Sequence, residues 1–186
     1  VNLNGVFDSA HLALYYFKQT LKPEETGDKQ IIFISSLAGY VTLNQIPDYT
    51  ASKFGVRGIW KAFRNNRNIL SESGTPRFRA NLIAPTFIKT NMTKNSQAVL
   101  PYLGITFGEV EDMVVSAVRI ACDDTIEGRA VAIASRDKVP GDRNFDLLDD
   151  HEGYDAGKEI LNKIVDGTVN NIHLLAVPGG YKKPDA

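Results

Sequence analysis

Ile31, Ile32, Phe33 and Ile34 form an unbroken apolar run, and no feature of the chain restricts its fold more. Successive side chains of a strand point to opposite faces, so four apolar residues in a row need cover on both. A strand covered on both faces belongs to a parallel sheet layered between helices. Gln30 to Ser35 is therefore predicted as such a strand, delivering a serine pair, Ser35 and Ser36, at its carboxyl end.

The flanking segments carry the helices that such a strand requires. Residues 4 to 22 place Val6, Ala10, Ala13 and Phe17 on one stripe and Phe7, Leu14 and Leu21 on another, with Pro23 ending the helix. Gly27-Asp28-Lys29 turns the chain into the strand. After a turn-rich insert, a second helix opens near Tyr49 and carries Val56, Ile59, Trp60 and Phe63, and the Ser71 to Pro76 cluster closes it. Phe78 to Ile83 reads as a strand, Asn91 to Thr106 as an irregular lid, Phe107 to Asp123 as a helix and Arg129 to Ala134 as a third strand. Strands alternating with helices predict an α/β, doubly wound parallel sheet.

The second helix start carries the chemistry. Tyr49 and Lys53 are spaced i, i+4 and share one helix face, with Cβ atoms about 5–6 Å apart. An unperturbed tyrosine has a pKa of about 10, so acting as a base near neutrality requires a cationic neighbour, which Lys53 supplies. A Tyr-x-x-x-Lys pair alone is usually a solvated surface pair. A serine delivered by an apolar strand just before it makes proton chemistry on an alcohol or a carbonyl the better reading.

Three further segments extend the pattern. Ser36, thirteen residues before Tyr49-Thr50-Ala51-Ser52-Lys53, resembles the serine and YxASK signature of the short-chain dehydrogenase/reductase family. Val1-Asn2-Leu3-Asn4-Gly5-Val6-Phe7 is similar to that family's VNxxGVF helix start, and the run Asn81 to Thr90 resembles its NxIxPGxVxT strand exit. The resemblance covers residues 1 to 134. Within it, Ser36-Leu37-Ala38-Gly39 resembles the branch typified by 15-hydroxyprostaglandin dehydrogenase.

The resemblance implies an NAD(P)-dependent oxidoreductase that interconverts a secondary alcohol and a ketone, using NAD or NADP. Tyr49 is then the acid/base, Lys53 lowers its pKa and bonds the nicotinamide ribose, Ser36 steadies the reacting oxygen, and Asn2 holds a water of the proton relay. Spacing to Tyr49 selects Ser36 over Ser35. Pro85, Thr86, Ile88 and Thr90 match the segment that orients the nicotinamide, alongside Tyr49 and Lys53. Thr86 is a departure, since the family has glycine there and a branched side chain now stands where backbone approaches the cofactor. Val41 to Pro47, with Met92, Val99, Leu100, Tyr102 and Leu103, are expected to line a pocket for a bulky apolar alcohol or ketone.

The family's glycine-rich turn and NNAG strand have no match, so the chain is expected to begin in mid-domain. Residues 1–135 then form the C-terminal part of a Rossmann-like NAD(P)-binding domain. Residues 136–186, with a helix from Tyr154 to Val165, form an extension that acts as a lid or subunit contact. By the same analogy the helices at residues 4–22 and 50–70 pair copies into a homo-oligomer. The alternative is an inactive family member serving as a binding or dimerisation module, its strand at Gln30 to Ser35 exposing an open edge.

Composition narrows the partners. Twenty-one basic against 22 acidic residues leave a net charge of −1, which gives no general pull toward nucleic acid. The basic residues Arg57, Lys61, Arg64 and Arg67 fall on one helical stripe and read as a solvated face or a subunit contact. One cysteine and three histidines make no ligand cluster, so no metal is expected. Cys122 and His11 read as packing residues. No apolar run reaches the roughly 20 residues of a membrane span, and a cytoplasmic location is expected.

Overall fold

The computed structural model describes residues 1–149 apart from 23, 25, 44–45, 67, 72, 75, 104–106, 134–143 and 148. The predicted helix from Tyr154 to Val165 lies outside the described residues. In chain order the elements are α1 (Asn4–Thr20), β1 (Lys29–Ile34), α2 (Pro47–Arg64), β2 (Phe78–Pro85), α3 (Val110–Cys122), β3 (Ala130–Ile133) and β4 (Asn144–Asp146). The sheet runs β1-β2-β3-β4. β1, β2 and β3 are parallel, with Ile34 opposite Ile83 and Pro85 opposite Ile133, while β4 closes the far side antiparallel to β3.

Alternation along the strands builds two cores. Phe33, Phe78, Ala80, Leu82 and Ala84 face α1 and α2, where they meet Leu14, Val56, Trp60 and Phe63. Ile83 and Ile133 point the other way, onto Ile120 of α3. Helices on both faces of a parallel sheet are the doubly wound arrangement predicted from Ile31 to Ile34. Trp60 is fully buried and donates its indole N–H to the Ala80 carbonyl at 3.0 Å, which fixes α2 across β2.

Asn81 is the one fully buried polar side chain of β2's middle. It donates to the Ile126 carbonyl at 3.0 Å and accepts from the Arg129 N–H at 2.9 Å, so it binds both ends of the turn between α3 and β3. Arg79, also buried, donates to the Ile120, Asp123 and Ile126 carbonyls at the end of α3 and to Asp28. Glu109 and Asp112 form a reciprocal capping box at the start of that helix.

Several details differ from the residue pattern. α2 ends at Arg64, where Asn65 and Asn66 turn the chain, although Ile69 and Leu70 continue the apolar pattern; both are buried from a non-helical segment instead. β1 is an edge of the described sheet, so Ile31 and Ile32 are half-buried and Ile34 is 44% exposed. Cys122 is exposed at the end of α3 rather than packed. His11 does pack, its ring 4.0 Å from that of Phe7 and its Nδ1 2.9 Å from the Phe7 carbonyl.

Candidate active site

β1 and β2 end side by side, and their carboxyl ends carry Ser36 and Pro85. The Ser36 hydroxyl accepts from the Ala38 N–H at 3.2 Å and donates to the Pro85 carbonyl at 3.3 Å. It thereby caps a single 3-10 turn, Leu37–Gly39, and spans the two strand ends. Ser35 is buried and does something else. Its hydroxyl donates to the Lys53 carbonyl at 3.0 Å, tying the strand end to the backbone of α2.

Gly39 shows how close that approach is. A Cβ built on it would stand 2.8 Å from the Lys53 carbonyl oxygen and 2.9 Å from Ser35 Oγ, so the turn after Ser36 rests directly on α2. Pro47 occupies the first turn of α2, where its missing N–H costs nothing, and Asp48 beside it suits the helix's positive end. Tyr49 follows in the same turn.

Lys53 lies one turn on. Its Nζ is 5.6 Å from the centre of the Tyr49 ring and donates to the Ile34 carbonyl at 3.3 Å. Burial pushes the Lys53 ammonium below its ordinary pKa. Asn2 is exposed; its amide reaches Ser52 Oγ at 3.5 Å, and Ser52 in turn donates to the Tyr49 carbonyl at 2.6 Å. The structure thus brings Ser36, Tyr49, Lys53 and Asn2 onto one end of the sheet.

The second strand end is less uniform. Thr86 donates its N–H to the Ile133 carbonyl at 3.0 Å, and its buried hydroxyl finds no partner among the described residues. An orphaned buried hydroxyl beside Ser36 and Pro85 fits a site that takes a polar ligand group. Ile88 is 6% exposed and packs with Ile83, Ile120 and Ile133, and its carbonyl accepts from the Thr93 hydroxyl at 2.7 Å. Thr90 is exposed, and its N–H and carbonyl are engaged by Thr93 Oγ1. Ligands of open α/β sheets bind outside the carboxyl ends of the strands, which is where Ser36, Pro85 and Thr86 stand. These residues fit the nicotinamide end of a dinucleotide.

Of the expected pocket residues, Val41, Met92, Val99 and Tyr102 are exposed and Leu100 half-buried. The basic stripe is not a solvated face. Arg57 and Lys61 grip Asp149, and Arg64 lies over Trp60 and donates to the Gly128 carbonyl at 3.3 Å. Arg67 lies outside the described residues. The residue pattern missed Ser35, Gly39, Tyr40 and Asp149. Gly39 had a readable signal in its place three residues after Ser36, whereas Asp149 had none.

A family model described as short chain dehydrogenase matches residues 1–100. An NADP-dependent dehydrogenase of Phoma sp. is 37% identical over 92% of this chain and 52% of its own length. A 5'-hydroxyaverantin dehydrogenase of Dothistroma septosporum is 38% identical over 86% of this chain and 51% of its own. Among solved structures, 4-hydroxyisoleucine dehydrogenase complexed with NADH superposes with a TM-score of 0.51 at 26% identity, covering 72% of this chain and 54% of that one. The 3-hydroxyacyl-CoA dehydrogenase type-2 of Mycobacterium avium, at 24% identity and a TM-score of 0.57, shares the fold over 70% of this chain and 51% of its own. The chain spans about half the length of the curated relatives it matches.

Proposed function

Because the chain belongs to the short-chain dehydrogenase family, we propose that it is the catalytic part of an NAD(P)-dependent oxidoreductase interconverting a secondary alcohol and a ketone. The observation that carries this reading is the half-buried Lys53 ammonium, 5.6 Å from the Tyr49 ring, on a helix bonded through Ser35 to the strand end that presents Ser36. The name of the Phoma relative favours NADP. Placement in the branch typified by 15-hydroxyprostaglandin dehydrogenase rests on Ser36-Leu37-Ala38-Gly39 alone.

Tyr49, Lys53, Pro85, Thr86, Ile88 and Thr90 hold the dinucleotide, which when bound supplies the hydride acceptor or donor. In oxidation, Tyr49 takes the hydroxyl proton of the alcohol; in reduction, it returns a proton to the carbonyl oxygen. Lys53 stabilises the phenolate throughout. Ser36 rotates its hydroxyl from the Pro85 carbonyl to the reacting oxygen and stabilises the charge that develops there. Asn2, bonded to the helix through Ser52, holds the water that returns the proton. Exposed Val41, Met92 and Tyr102 supply apolar surface for a bulky substrate.

The test uses the full-length protein with NADH and NADPH against a panel of apolar cyclic and aromatic ketones and their alcohols. Turnover by the wild type, lost in Tyr49→Phe while cofactor binding by fluorescence persists, is the expected result. Cofactor binding by neither form would sink the reading.

A second reading, an inactive binding or dimerisation module, is favoured by one observation. The open edge of β1 and a groove of about 760 Å³ beside it, lined by Val6, Ala10, Ile32 and Ile34, leave apolar surface unpaired among the described residues. Exposed Phe7 and Tyr16 on α1 and Phe54 on α2 add to it and support a homo-oligomer through these helices. Stable association without any cofactor binding, read by size-exclusion and fluorescence together, would favour this module over the enzyme.

A further inference from the structure

Asp149 is 8% exposed and meets α2 from 92 residues away. Its Oδ2 accepts from Arg57 Nε at 2.7 Å and from the Tyr40 hydroxyl at 3.0 Å; its Oδ1 accepts from Arg57 Nη2 at 2.7 Å and from Lys61 Nζ at 2.9 Å. Four donors thus engage both oxygens, two of them from the parallel fork of one guanidinium. Burial alone would raise the Asp149 carboxyl, but the hydrogen bonds from Arg57 and Lys61 outweigh it and hold the group well below the usual carboxylate range. Burial and the Asp149 charge together push the Tyr40 phenol upward, which keeps it a donor.

The partners of this carboxylate belong to two different parts of the site. Tyr40 ends the 3-10 turn that Ser36 begins, donating its N–H to the Leu37 carbonyl at 2.9 Å. Arg57 lies on α2 one turn beyond Lys53. Its guanidinium stacks on the Tyr40 ring at 4.2 Å and donates to the Gly39 carbonyl at 3.4 Å. Leu147, two residues before Asp149, packs against the core under α2, and its N–H donates to the Ala130 carbonyl of β3 at 2.8 Å. The carboxylate is therefore anchored to the sheet independently of the two groups it joins.

We propose that Asp149 is a positioning residue that, by gripping Tyr40 and Arg57 together, locks the turn beginning at Ser36 onto the helix carrying Tyr49 and Lys53. Removing its charge replaces one of the two acceptor oxygens by a donor and weakens the hold on Arg57, Lys61 and the Tyr40 hydroxyl together. The turn is then free to shift against α2, and a displacement of about 1 Å between a catalytic group and the reacting atoms can cost about 100-fold in rate. The catalytic consequence rests on the dehydrogenase reading; the locking of the turn does not.

Asp149→Asn and Tyr40→Phe in the full-length protein separate these roles. Binding sites are counted by NADPH fluorescence titration and kcat is expressed per site, using the best ketone of the panel. The expected result for Asp149→Asn is a fall in kcat of about tenfold or more, with KM and the NADPH dissociation constant within about twofold of wild type. Tyr40→Phe, which keeps the Arg57–Asp149 pair, shows the same split with a smaller fall and decides the matter where Asp149→Asn does not fold. Amide exchange at Gly39 and Tyr40, whose N–H groups close the turn at 2.9 Å each, accelerates in both variants. A lowered melting temperature with unchanged kcat per site and unchanged exchange at these amides would overturn the proposal. Unchanged exchange overturns it even in a protein without turnover, whereas accelerated exchange there would leave the lock standing and remove only the dehydrogenase reading.

Discussion

Ser35 donates its hydroxyl to the main-chain carbonyl of Lys53 at 3.0 Å, so the serine beside Ser36 ties the strand end to the helix. The two neighbours divide the work. Ser36 faces the second strand end at Pro85, and Ser35 faces α2. Spacing from the tyrosine distinguishes the chemical role, whereas only the packed structure shows the mechanical one.

Gly39→Ala tests how tightly that joint is closed. The added Cβ meets the backbone oxygen of Lys53 at 2.8 Å, which cannot rotate away as a side chain would. A loss of about 1–3 kcal/mol in stability is expected, measured by urea unfolding. A fall in kcat that exceeds any change in KM should accompany it.

Lys53→Met should make the protein more stable and abolish turnover. Burial holds the folded-state pKa of Lys53 below its unfolded value, so charging this lysine costs stability. That cost is complete below the folded pKa and fades as pH rises toward the unfolded value of about 10.4. Unfolding midpoints are accordingly higher for the variant at pH 7, with the gap to wild type narrowing above pH 9. A variant less stable than wild type at pH 7 would contradict this account.

Asn81→Ala removes the side chain that satisfies the Ile126 carbonyl and the Arg129 N–H. The Arg129 N–H loses this acceptor, whereas the Ile126 carbonyl keeps its bond from Arg79 at 2.9 Å, for a cost of about 1–3 kcal/mol. Chemical denaturation measures it, and amide exchange at Arg129 should localise the damage to the turn between α3 and β3.

Asp28 gives an acid-side prediction. Hydrogen bonds from Arg77, with its charge and that of Arg79, outweigh burial and lower the Asp28 pKa in the folded protein. A depressed carboxylate contributes stability that is present above its unfolded pKa of about 3.9 and lost as pH falls through the folded value. Asp28→Asn is therefore expected to be less stable than wild type at pH 6, with the difference shrinking below pH 4. Urea midpoints across that range provide the check.

Local patterns carried much of this into the sequence. Ile31 to Ile34 announced a parallel strand, though not that it would stand at the edge of the described sheet, and Tyr49 with Lys53 announced a shared helix face, because both depend on neighbours within a turn or a strand. The end of α2 was not readable, since Ile69 and Leu70 keep a helical apolar rhythm and are buried anyway. β4 has three residues with one apolar side chain and leaves no periodic trace. The grip of Arg57 and Lys61 was hidden for another reason: a basic stripe looks the same whether water or a distant carboxylate answers it. Asp149 stands 92 positions away, and no spacing rule connects them.

The unequal cover on the two faces of the sheet also sets an order of events. Tyr49 and Lys53 stand on α2, over the cluster that includes Trp60, Phe63, Phe78 and Leu14, whereas α3 rests on Ile83, Ile88, Ile120 and Ile133 among the described residues. Val110, Val114 and Val118 of α3 remain about half exposed. Local opening draws first on the element with the fewest buried contacts. On gentle warming α3 should loosen while α2 still holds its shape, so heat erodes the protein from the thinner of its two layers.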